Sequence, residues 1–291
     1  MKNFIQHTVF PILAALIWGT AFSAQSVASR YVQPFAVNAF RGLVAFAVLA
    51  LACLLLKIPF GEKKQVITGS LLCGTALFIA SNFQQFGIGE TSAGKSGFIT
   101  ALYIVLVPVA GIFFHKRTSR RIWLAVAIAV TGMYFLCVKE GVSFAVGDLA
   151  LLMCAIMFTL QILAVDAYSE KVHPVVLSAG QLLVCGILSL VVSFFFETTA
   201  LADFAPCLWQ MRYVSLFSSC VAYTLQIFAQ KGGNPAVVSL LLSLESVFAL
   251  LFGMILLGEK MTGREYFGCV LMVIAILISQ LPDKTNREEA A

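Results

Sequence analysis

Residues 91–121, TSAGKSGFITALYIVLVPVAGIFFHKRTSRR, and residues 235–265, PAVVSLLLSLESVFALLFGMILLGEKMTGRE, decide the fold. Each stretch is a long apolar run that ends in a short charged turn. When the first stretch is moved 144 places along the chain, Lys116-Arg117-Thr118 falls on Lys260-Met261-Thr262. Weak self-similarity of this kind indicates an internal repeat, so we expect a chain built from two related halves.

The composition places both halves in a membrane. Of the 291 residues, 60% are hydrophobic and only 11% are charged, and the mean hydropathy is +0.95. A soluble domain carries about 25% charged residues, because its surface must be solvated. The net charge of +5 lies in short loops and gives no indication of nucleic-acid binding.

Ten apolar runs are long enough to span a bilayer, for which a helix needs roughly 20 residues. They lack the alternating pattern of a membrane β-barrel, so the predicted class is an all-α membrane protein with ten transmembrane helices. The predicted spans are residues 9–29, 35–56, 66–87, 94–114, 120–138, 147–168, 174–196, 210–230, 235–257 and 263–281.

Five spans in each half require the two halves to have opposite orientations. The expected organisation is a first five-helix repeat over 1–141, a second over 142–282 and a short tail over 283–291. Inverted repeats are typical of secondary transporters, whose substrate site lies near the membrane midplane between the repeats. Lysine and arginine are enriched in the loops that lie on the same side of the membrane as the N-terminus. This enrichment predicts a multi-pass protein of the cell (inner) membrane with both termini in the cytoplasm.

Residues 89–96, GETSAGKS, match the spacing G-x-x-x-x-G-K-[ST] of a phosphate-binding loop. Such a loop follows a β-strand, whereas this stretch follows an apolar span, so we interpret the match as a coincidence of spacing. Two interpretations of Lys95 stay open: it attracts an anion to a helix start, or it reaches the membrane interface. The eight cysteines and three histidines are scattered, and neither a metal site nor a cofactor is expected.

Polar and aromatic side chains recur at helical spacing along eight of the spans. An ionisable group in hydrocarbon costs about 2.5–3.5 kcal/mol on insertion scales, so such groups face partners or a watery cavity. The alternative for each amide is a bond to a neighbouring helix, and for each aromatic ring simple packing. The predicted substrate-binding residues are Trp18, Phe22, Gln25, Asn38, Arg41, Phe78, Asn82, Gln85, Tyr103, Gln161, Gln181, Tyr223 and Gln226.

Glu245 and Arg41 are the two charged groups placed deepest in the spans. Glu245 lies near the centre of the ninth span and is the predicted proton-coupling residue. Arg41 lies nearer the outer interface, where its planar guanidinium can hold a substrate carboxylate. The alternative for both is a permanent ion pair between them.

Several of these stretches resemble a known family. Trp18-Gly19, Arg41 and TSAGKSGFITALYIVLVP (91–108) are similar to the first EamA domain of the drug/metabolite transporter superfamily. AYTLQIFAQK (222–231) and SLLLSLESVFALLFGMILLGEKMT (239–262) resemble the second domain. The resemblance implies a ten-helix metabolite transporter, often an exporter of amino acids or related solutes.

The sequence therefore predicts a secondary active transporter that works by alternating access, driven by proton exchange through Glu245 or by the substrate gradient alone. Its expected partners are a small-molecule substrate, protons and the lipid bilayer, and it is a monomer or a homodimer. Two alternatives are an uptake permease or exchanger, and a non-transporting structural or signalling membrane protein. A membrane-embedded enzyme is disfavoured, because no nucleophile is paired with a base.

Overall fold

The computed structural model describes residues 2–90, 93–113, 118–137, 146–257 and 262–281. Within these ranges the regular structure is helical throughout. The helices are α1 (Phe10–Ala28), α2 (Pro34–Leu55), α3 (Lys63–Glu90), α4 (Ala93–Thr100), α5 (Tyr103–Phe113), α6 (Arg120–Cys137), α7 (Val146–Ser169), α8 (Pro174–Phe196), α9 (Leu208–Tyr213), α10 (Tyr223–Gln230), α11 (Pro235–Leu242), α12 (Glu245–Leu257) and α13 (Gly263–Gln280).

Three further helical segments complete the fold. A helical lead-in precedes α1, as Lys2–Phe4 followed by a π-helical turn, Ile5–Val9. A 3₁₀ segment, Leu201–Cys207, precedes α9, and a π-helical segment, Val214–Ala222, joins α9 to α10. Among the described residues, eight helices are long and apolar enough to cross a membrane. The predicted all-α membrane class is confirmed, and helix α6 and the helical stretch 208–230 occupy the two remaining predicted spans.

Local sequence explains where several helices begin. Helices α2, α8 and α11 each start on a proline, whose fixed φ suits the first helical position and whose missing N–H is not needed there. The side chain of Asn234 accepts a hydrogen bond from the amide of Ala236 and caps α11. Thr262 and Glu265 form a reciprocal capping box at the start of α13.

The helices pack in pairs. Helix α2 packs on α8, α3 packs on α7 and α8, α6 packs on α13, and α1 packs on α12. Glycine permits the closest of these contacts, because a Cβ atom on Gly19 would lie 2.7 Å from the carbonyl oxygen of Glu245. Helices α1 and α12 therefore touch backbone to backbone, as small residues allow in membrane proteins.

Two of the predicted spans are interrupted in the middle of the membrane segment. The fourth span breaks between Thr100 and Tyr103, and the ninth breaks between Leu242 and Glu245. In both breaks the backbone hydrogen bonds change from the i→i−4 to the i→i−3 pattern. Examples are the bonds from Ile104 N to Ala101 O and from Ser246 N to Ser243 O. A short 3₁₀ stretch inside a helix often marks a hinge.

The stretch GETSAGKS does not have the surroundings of a phosphate loop. Helix α3 continues to Glu90, and α4 begins at Ala93, so the described flanks are both helical. Residues 91 and 92 and the side chain of Lys95 lie outside the described part of the chain, and the two interpretations of Lys95 stay predictions.

Candidate functional site

The two broken helices meet at a small cavity within the helix bundle. Its volume is about 30 Å³, which is room for one or two water molecules. We call it the central cavity. It is lined by Trp18, Phe22, Gln25, Arg41, Gln84, Thr100, Tyr103, Phe158, Ile162, Ser218, Tyr223, Gln226, Leu242 and Glu245.

Arg41 brings a positive charge to one wall of the central cavity. It is 4% exposed, and its Nε donates to Ser219 Oγ at 2.7 Å. Its two terminal nitrogens donate to Gln25 Oε1 at 2.8 Å and to Ser218 Oγ at 3.2 Å. All three acceptors are uncharged, so the guanidinium is held in a fixed orientation while its charge stays available to an anionic group.

The unusual helix geometry of residues 214–222 makes this arrangement possible. Ser218 and Ser219 are neighbours in the chain, yet both hydroxyls reach the same guanidinium. They lie in the π-helical segment, and π-helical turns occur frequently at functional sites. The carbonyl of Ser218 also accepts a hydrogen bond from Trp18 Nε1 at 3.1 Å, which fixes the indole beside the cavity.

Glu245 brings the acidic group. It is 4% exposed and is the first residue of α12, directly after the break in the ninth span. The hydroxyl of Tyr103, which is the first residue of α5, donates to Glu245 Oε1 at 3.4 Å. Within the described residues no ion pair joins Glu245 to Arg41, because the hydrogen bonds of Arg41 go to Gln25, Ser218 and Ser219.

Aromatic rings form much of the remaining wall. Trp18 and Tyr223 make an edge-to-face contact with ring centroids 5.0 Å apart. Tyr103 and Phe158 make a similar contact at 6.5 Å. A cavity with apolar aromatic walls and a few fixed polar groups is typical of a small-molecule binding site.

The sequence of the whole chain matches one family. The profile of the EamA-like transporter family covers residues 8–138 and 145–281. The chain belongs to the EamA-like transporter family. This places it in the drug/metabolite transporter superfamily, as the resemblance of the two signature stretches predicted.

Relatives of the EamA-like chain are similar over most of its length. An uncharacterized transporter of Archaeoglobus fulgidus is 33% identical over 270 residues, which cover 92% of this chain and 84% of the relative. The uncharacterized inner membrane transporter YedA of Escherichia coli K12 is 24% identical, with 94% and 92% covered. Both relatives are named as transporters, and the second as an inner membrane transporter.

A solved crystal structure has the same fold. It superposes with a TM-score of 0.81 at 18% sequence identity and covers 94% of this chain and 96% of its own. The match shows that this helical arrangement is shared by a protein with a very different sequence.

Eight of the predicted site residues of this EamA-like transporter line the central cavity. Their position is compatible with solute binding and coupling, and these roles stay predictions. The eight are Trp18, Phe22, Gln25, Arg41, Tyr103, Tyr223, Gln226 and Glu245.

Two predicted amides lie behind the cavity wall rather than in it. Gln226 Nε2 donates to Gln161 Oε1 at 3.1 Å, and Gln161 Nε2 donates to Gln181 Oε1 at 3.0 Å. Gln161 and Gln181 are completely buried. They reach the central cavity only through Gln226, which is the interhelical bonding considered as an alternative for the amides.

Four other predicted residues, Asn38, Phe78, Asn82 and Gln85, are placed elsewhere. Asn38 Nδ2 donates to Asn82 Oδ1 at 3.0 Å, and Gln85 Nε2 donates to Ser29 Oγ at 2.6 Å. Phe78 and Asn82 line a separate apolar groove of about 810 Å³ between α2, α3, α7 and α8. A direct contact of these four residues with solute stays a prediction.

Six lining residues were not among the predicted ones: Gln84, Thr100, Phe158, Ile162, Ser218 and Leu242. Gln84 lines the central cavity although its neighbour Gln85 was selected from the helical spacing. Ser218 also lines it, although the helical spacing did not select it. The π-helical segment 214–222 explains the case of Ser218, because its wider turn shifts the face that a 3.6-residue period predicts. The doubled glutamine in NFQQF (82–86) was the available signal for Gln84.

Proposed function

We propose that this EamA-like protein is a secondary active transporter of small metabolites, most closely an exporter of amino acids or related compounds. The observation that carries the proposal is the small central cavity between two broken helices, with Arg41 and Glu245 on its walls. A cavity with room for one or two waters admits a solute only when the surrounding helices move. Alternating access supplies that movement.

Ten spans in two inverted repeats are part of the proposal. The pairing of helices supports it: α1 packs on α12, and the corresponding helix of the second half, α7, packs on α4 and α5 of the first. Helices α2 and α8 pack on each other, as do α6 and α13. An axis that exchanges residues 1–141 with 142–282 produces these pairings, and the tail 283–291 lies outside the described residues.

The proposed location is the cell (inner) membrane, with both termini in the cytoplasm. Positive residues at one side of the bundle support the orientation, since cytoplasmic loops carry an excess of lysine and arginine. Lys57, Lys63 and Lys64 lie between or at the ends of α2 and α3, and Arg120 and Arg121 open α6. The lipid bilayer, a small solute and protons are the proposed partners, with no nucleic acid, metal or cofactor, and the protein acts as a monomer or homodimer.

Each wall of the central cavity has its own role in the proposed cycle. Arg41 binds the carboxylate of the solute, because its guanidinium is fixed by three uncharged acceptors. The rings of Trp18, Tyr223 and Phe158 cover the apolar part of the solute. Glu245 exchanges a proton with the aqueous phase as the cavity opens, which couples transport to the proton gradient.

Solute counterflow in proteoliposomes tests the proposal. Vesicles are loaded with one unlabelled amino acid at a time, and entry of the same labelled amino acid is followed at equal pH on both sides. The expected result is entry above that of protein-free vesicles for at least one amino acid. Arg41→Gln abolishes this entry, whereas Arg30→Gln, a change at an exposed arginine, leaves it unchanged.

Counterflow requires neither a proton gradient nor a particular direction of transport. It therefore detects an exporter, an uptake permease and an exchanger alike. An exporter and a permease are then separated by the direction of net movement in cells. Failure of every amino acid and related metabolite would contradict the proposal and favour a structural or signalling membrane protein, the alternative from another class.

A further inference from the structure

The apolar groove between α2, α3, α7 and α8 is lined mainly by aromatic and aliphatic side chains. Its aromatic residues are Phe35, Phe78, Phe83, Phe86 and Phe196. The last three of these rings are exposed, so the groove is open at the surface of the helix bundle. Only three of its lining residues are polar, namely Gln33, Asn82 and Glu197.

The groove extends along α3 over most of the depth of one leaflet. From Phe86 to Phe78 it runs about 12 Å, at about 1.5 Å per helical residue. One leaflet supplies half of the roughly 30 Å of hydrocarbon in a bilayer. The open side of the groove therefore faces the acyl chains of lipids rather than water.

Asn82, the polar residue in the middle of the groove wall, has already used both ends of its amide within the protein. Its Nδ2 atom donates to Phe78 O at 2.7 Å and to Ser189 Oγ at 3.0 Å. Its Oδ1 atom accepts a hydrogen bond from Asn38 Nδ2 at 3.0 Å. The amide therefore offers little to a polar ligand.

The polar residues at the end of the groove are bonded in the same way. The two carboxylate oxygens of Glu197 accept from the amides of Phe35 and Ala36, at 2.9 and 2.8 Å. Gln33 Oε1 accepts from the amide of Thr198 at 2.8 Å. A polar solute in the groove would lose its hydration without gaining equivalent hydrogen bonds, so these walls favour an apolar occupant.

At the opposite end of the bundle the protein fills the equivalent gap itself. In the proposed repeat, α2 corresponds to α8 and α7 to α1, so the gap lies between the starts of α8 and α1. There the ring of Phe228 contacts the rings of His173 and Phe10, each with centroids 6.1 Å apart. Gln6 Nε2 donates to Phe228 O at 2.9 Å and ties the lead-in of α1 over this gap.

We propose that the apolar groove binds one acyl chain of a membrane phospholipid, which fills the space that Phe228 and its neighbours fill at the other end. An unfilled groove deprives its lining of dispersion contacts, and apolar cavities do not hold water well. Phospholipids are the molecules with apolar chains that surround the spans at this depth. The acyl chain is held by shape and apolar contact.

Photolabelling with a lipid probe tests the proposal. The full chain is placed in nanodiscs of phosphatidylcholine with a small fraction of phosphatidylcholine that carries a diazirine halfway along one acyl chain. Adducts formed on illumination are mapped by mass spectrometry of peptides. The expected result is labelling concentrated on residues 78–86 and 146–153. Labelling of residues 266–277 of α13, which also expose apolar side chains, is expected to be weaker, and equal labelling of these stretches would overturn the proposal.

Two matched variants show whether the groove itself is responsible. Ala150→Phe adds a ring to a residue that lines the groove, and Ala127→Phe adds the same ring to an exposed position of α6. The first variant is expected to lose the excess labelling of residues 78–86, and the second to retain it. Loss in both variants or in neither would contradict the assignment. Should Ala150→Phe fail to fold, Met153→Trp narrows the same wall from a more exposed position.

Thermal unfolding in detergent gives a second readout. A ligand that binds the folded state raises the melting temperature, so added phosphatidylcholine is expected to stabilise the wild-type protein and Ala127→Phe. The gain should be smaller in Ala150→Phe, because its own ring occupies part of the groove. Equal gains in all three proteins would contradict a lipid site here. Neither readout requires transport, so the lipid site and the proposed function can fail separately.

Discussion

The two broken helices of this transporter share a pattern of backbone hydrogen bonds and differ in the side chains that follow the break. In each, a stretch of i→i−3 hydrogen bonds interrupts a span, between Thr100 and Tyr103 in the first half and between Leu242 and Glu245 in the second. The residues that follow the breaks, Tyr103 and Glu245, meet across the central cavity at 3.4 Å. Tyr103 carries a phenol and Glu245 a carboxyl group. Both helices therefore have a break, but a carboxyl group follows the break in the second one alone.

This difference suggests that the two breaks have different functions in transport. Both breaks supply places where a helix can bend, as discontinuous helices do in many secondary transporters. The second break carries a carboxyl group, Glu245, whereas the first carries the phenol of Tyr103. Movement is therefore expected to depend on both halves, and proton coupling on the second half alone.

The largest expected effect is the loss of coupling in Glu245→Gln. Glutamine keeps the shape and the hydrogen bond to Tyr103 but cannot exchange a proton. A typical coupling between two ligands changes the affinity for each about 5- to 150-fold. We expect the dependence of solute transport on pH to disappear in this variant, while counterflow continues. Uptake and lumenal pH are measured together in proteoliposomes. A variant with wild-type proton movement would assign the coupling elsewhere.

Packing gives a second contrast, between two contacts that helices of the first half make with α12. A Cβ atom at Gly19 would lie 2.7 Å from the backbone of α12, whereas at Gly97 it would meet only Ser246 Oγ at 3.7 Å. Gly19→Ala is expected to destabilise the protein by about 1–3 kcal/mol through overpacking. Gly97→Ala is expected to be neutral or to stabilise α4 by up to about 1 kcal/mol. Thermal unfolding in detergent compares them, and equal losses would contradict the close α1–α12 contact.

Tyr103→Phe should have a smaller effect than Glu245→Gln. It removes one hydroxyl, and a hydrogen bond of this kind contributes about 0.5–1.5 kcal/mol. We expect counterflow to slow by a factor of about 2 to 12, as follows from that energy, with the dependence on pH retained. The initial rate at several pH values is the measurement. If Tyr103→Phe abolished the pH dependence, the acid alone would not explain coupling.

The smallest effect concerns a loop and serves as a control for pH. His173 lies just before α8, where its Nδ1 accepts from the amide of Val175 at 3.4 Å. Burial and then the charge of Lys231 lower its pKa, so the folded protein prefers the neutral imidazole. Stability contributed by this group is present above the ordinary pKa of about 6.5 and is lost as the pH falls below it.

His173→Asn keeps a capping side chain and removes the titration. The melting temperature of the variant should therefore decrease less between pH 7.5 and about 5.5 than that of the wild-type protein. Its pH dependence of transport should equal that of the wild-type protein, because Glu245 is unchanged. A variant whose transport lost its pH dependence would place the coupling in this loop.

The sequence predicted the span positions closely, because long apolar runs have one structural solution in a bilayer. The predicted span 174–196 is helix α8, and the predicted span 120–138 is helix α6 within one residue. The internal repeat stays a prediction, which rests on the alignment of its two charged turns.

The breaks were harder to predict from residue types. Ser243 Oγ bonds back to Leu240 O, and serine in this role bends helices, but serines elsewhere in the chain do the same without a break. Pro108, the residue that the sequence marks most clearly as a breaker, lies inside the continuous helix α5. The spacing of polar residues alone also does not determine the rotation of each helix about its axis. This is why Gln161 and Gln181 were placed in the cavity and Ser218 was not.

Accessibility of the central cavity from the two sides of the membrane tests alternating access most directly. Single cysteines replace Thr100 or Leu242, which line the cavity at the two breaks, in a protein whose native cysteines are changed to alanine. Membrane-impermeant maleimide is added to either side of oriented vesicles, with and without a transported solute. Ser189→Cys, buried on α8 away from the cavity, is the matched control. The expected result is that the cavity cysteines are labelled from each side, and that solute and pH change the ratio of labelling from the two sides. The control cysteine at position 189 is expected to stay unlabelled. Labelling from one side only under every condition would contradict transport through this cavity.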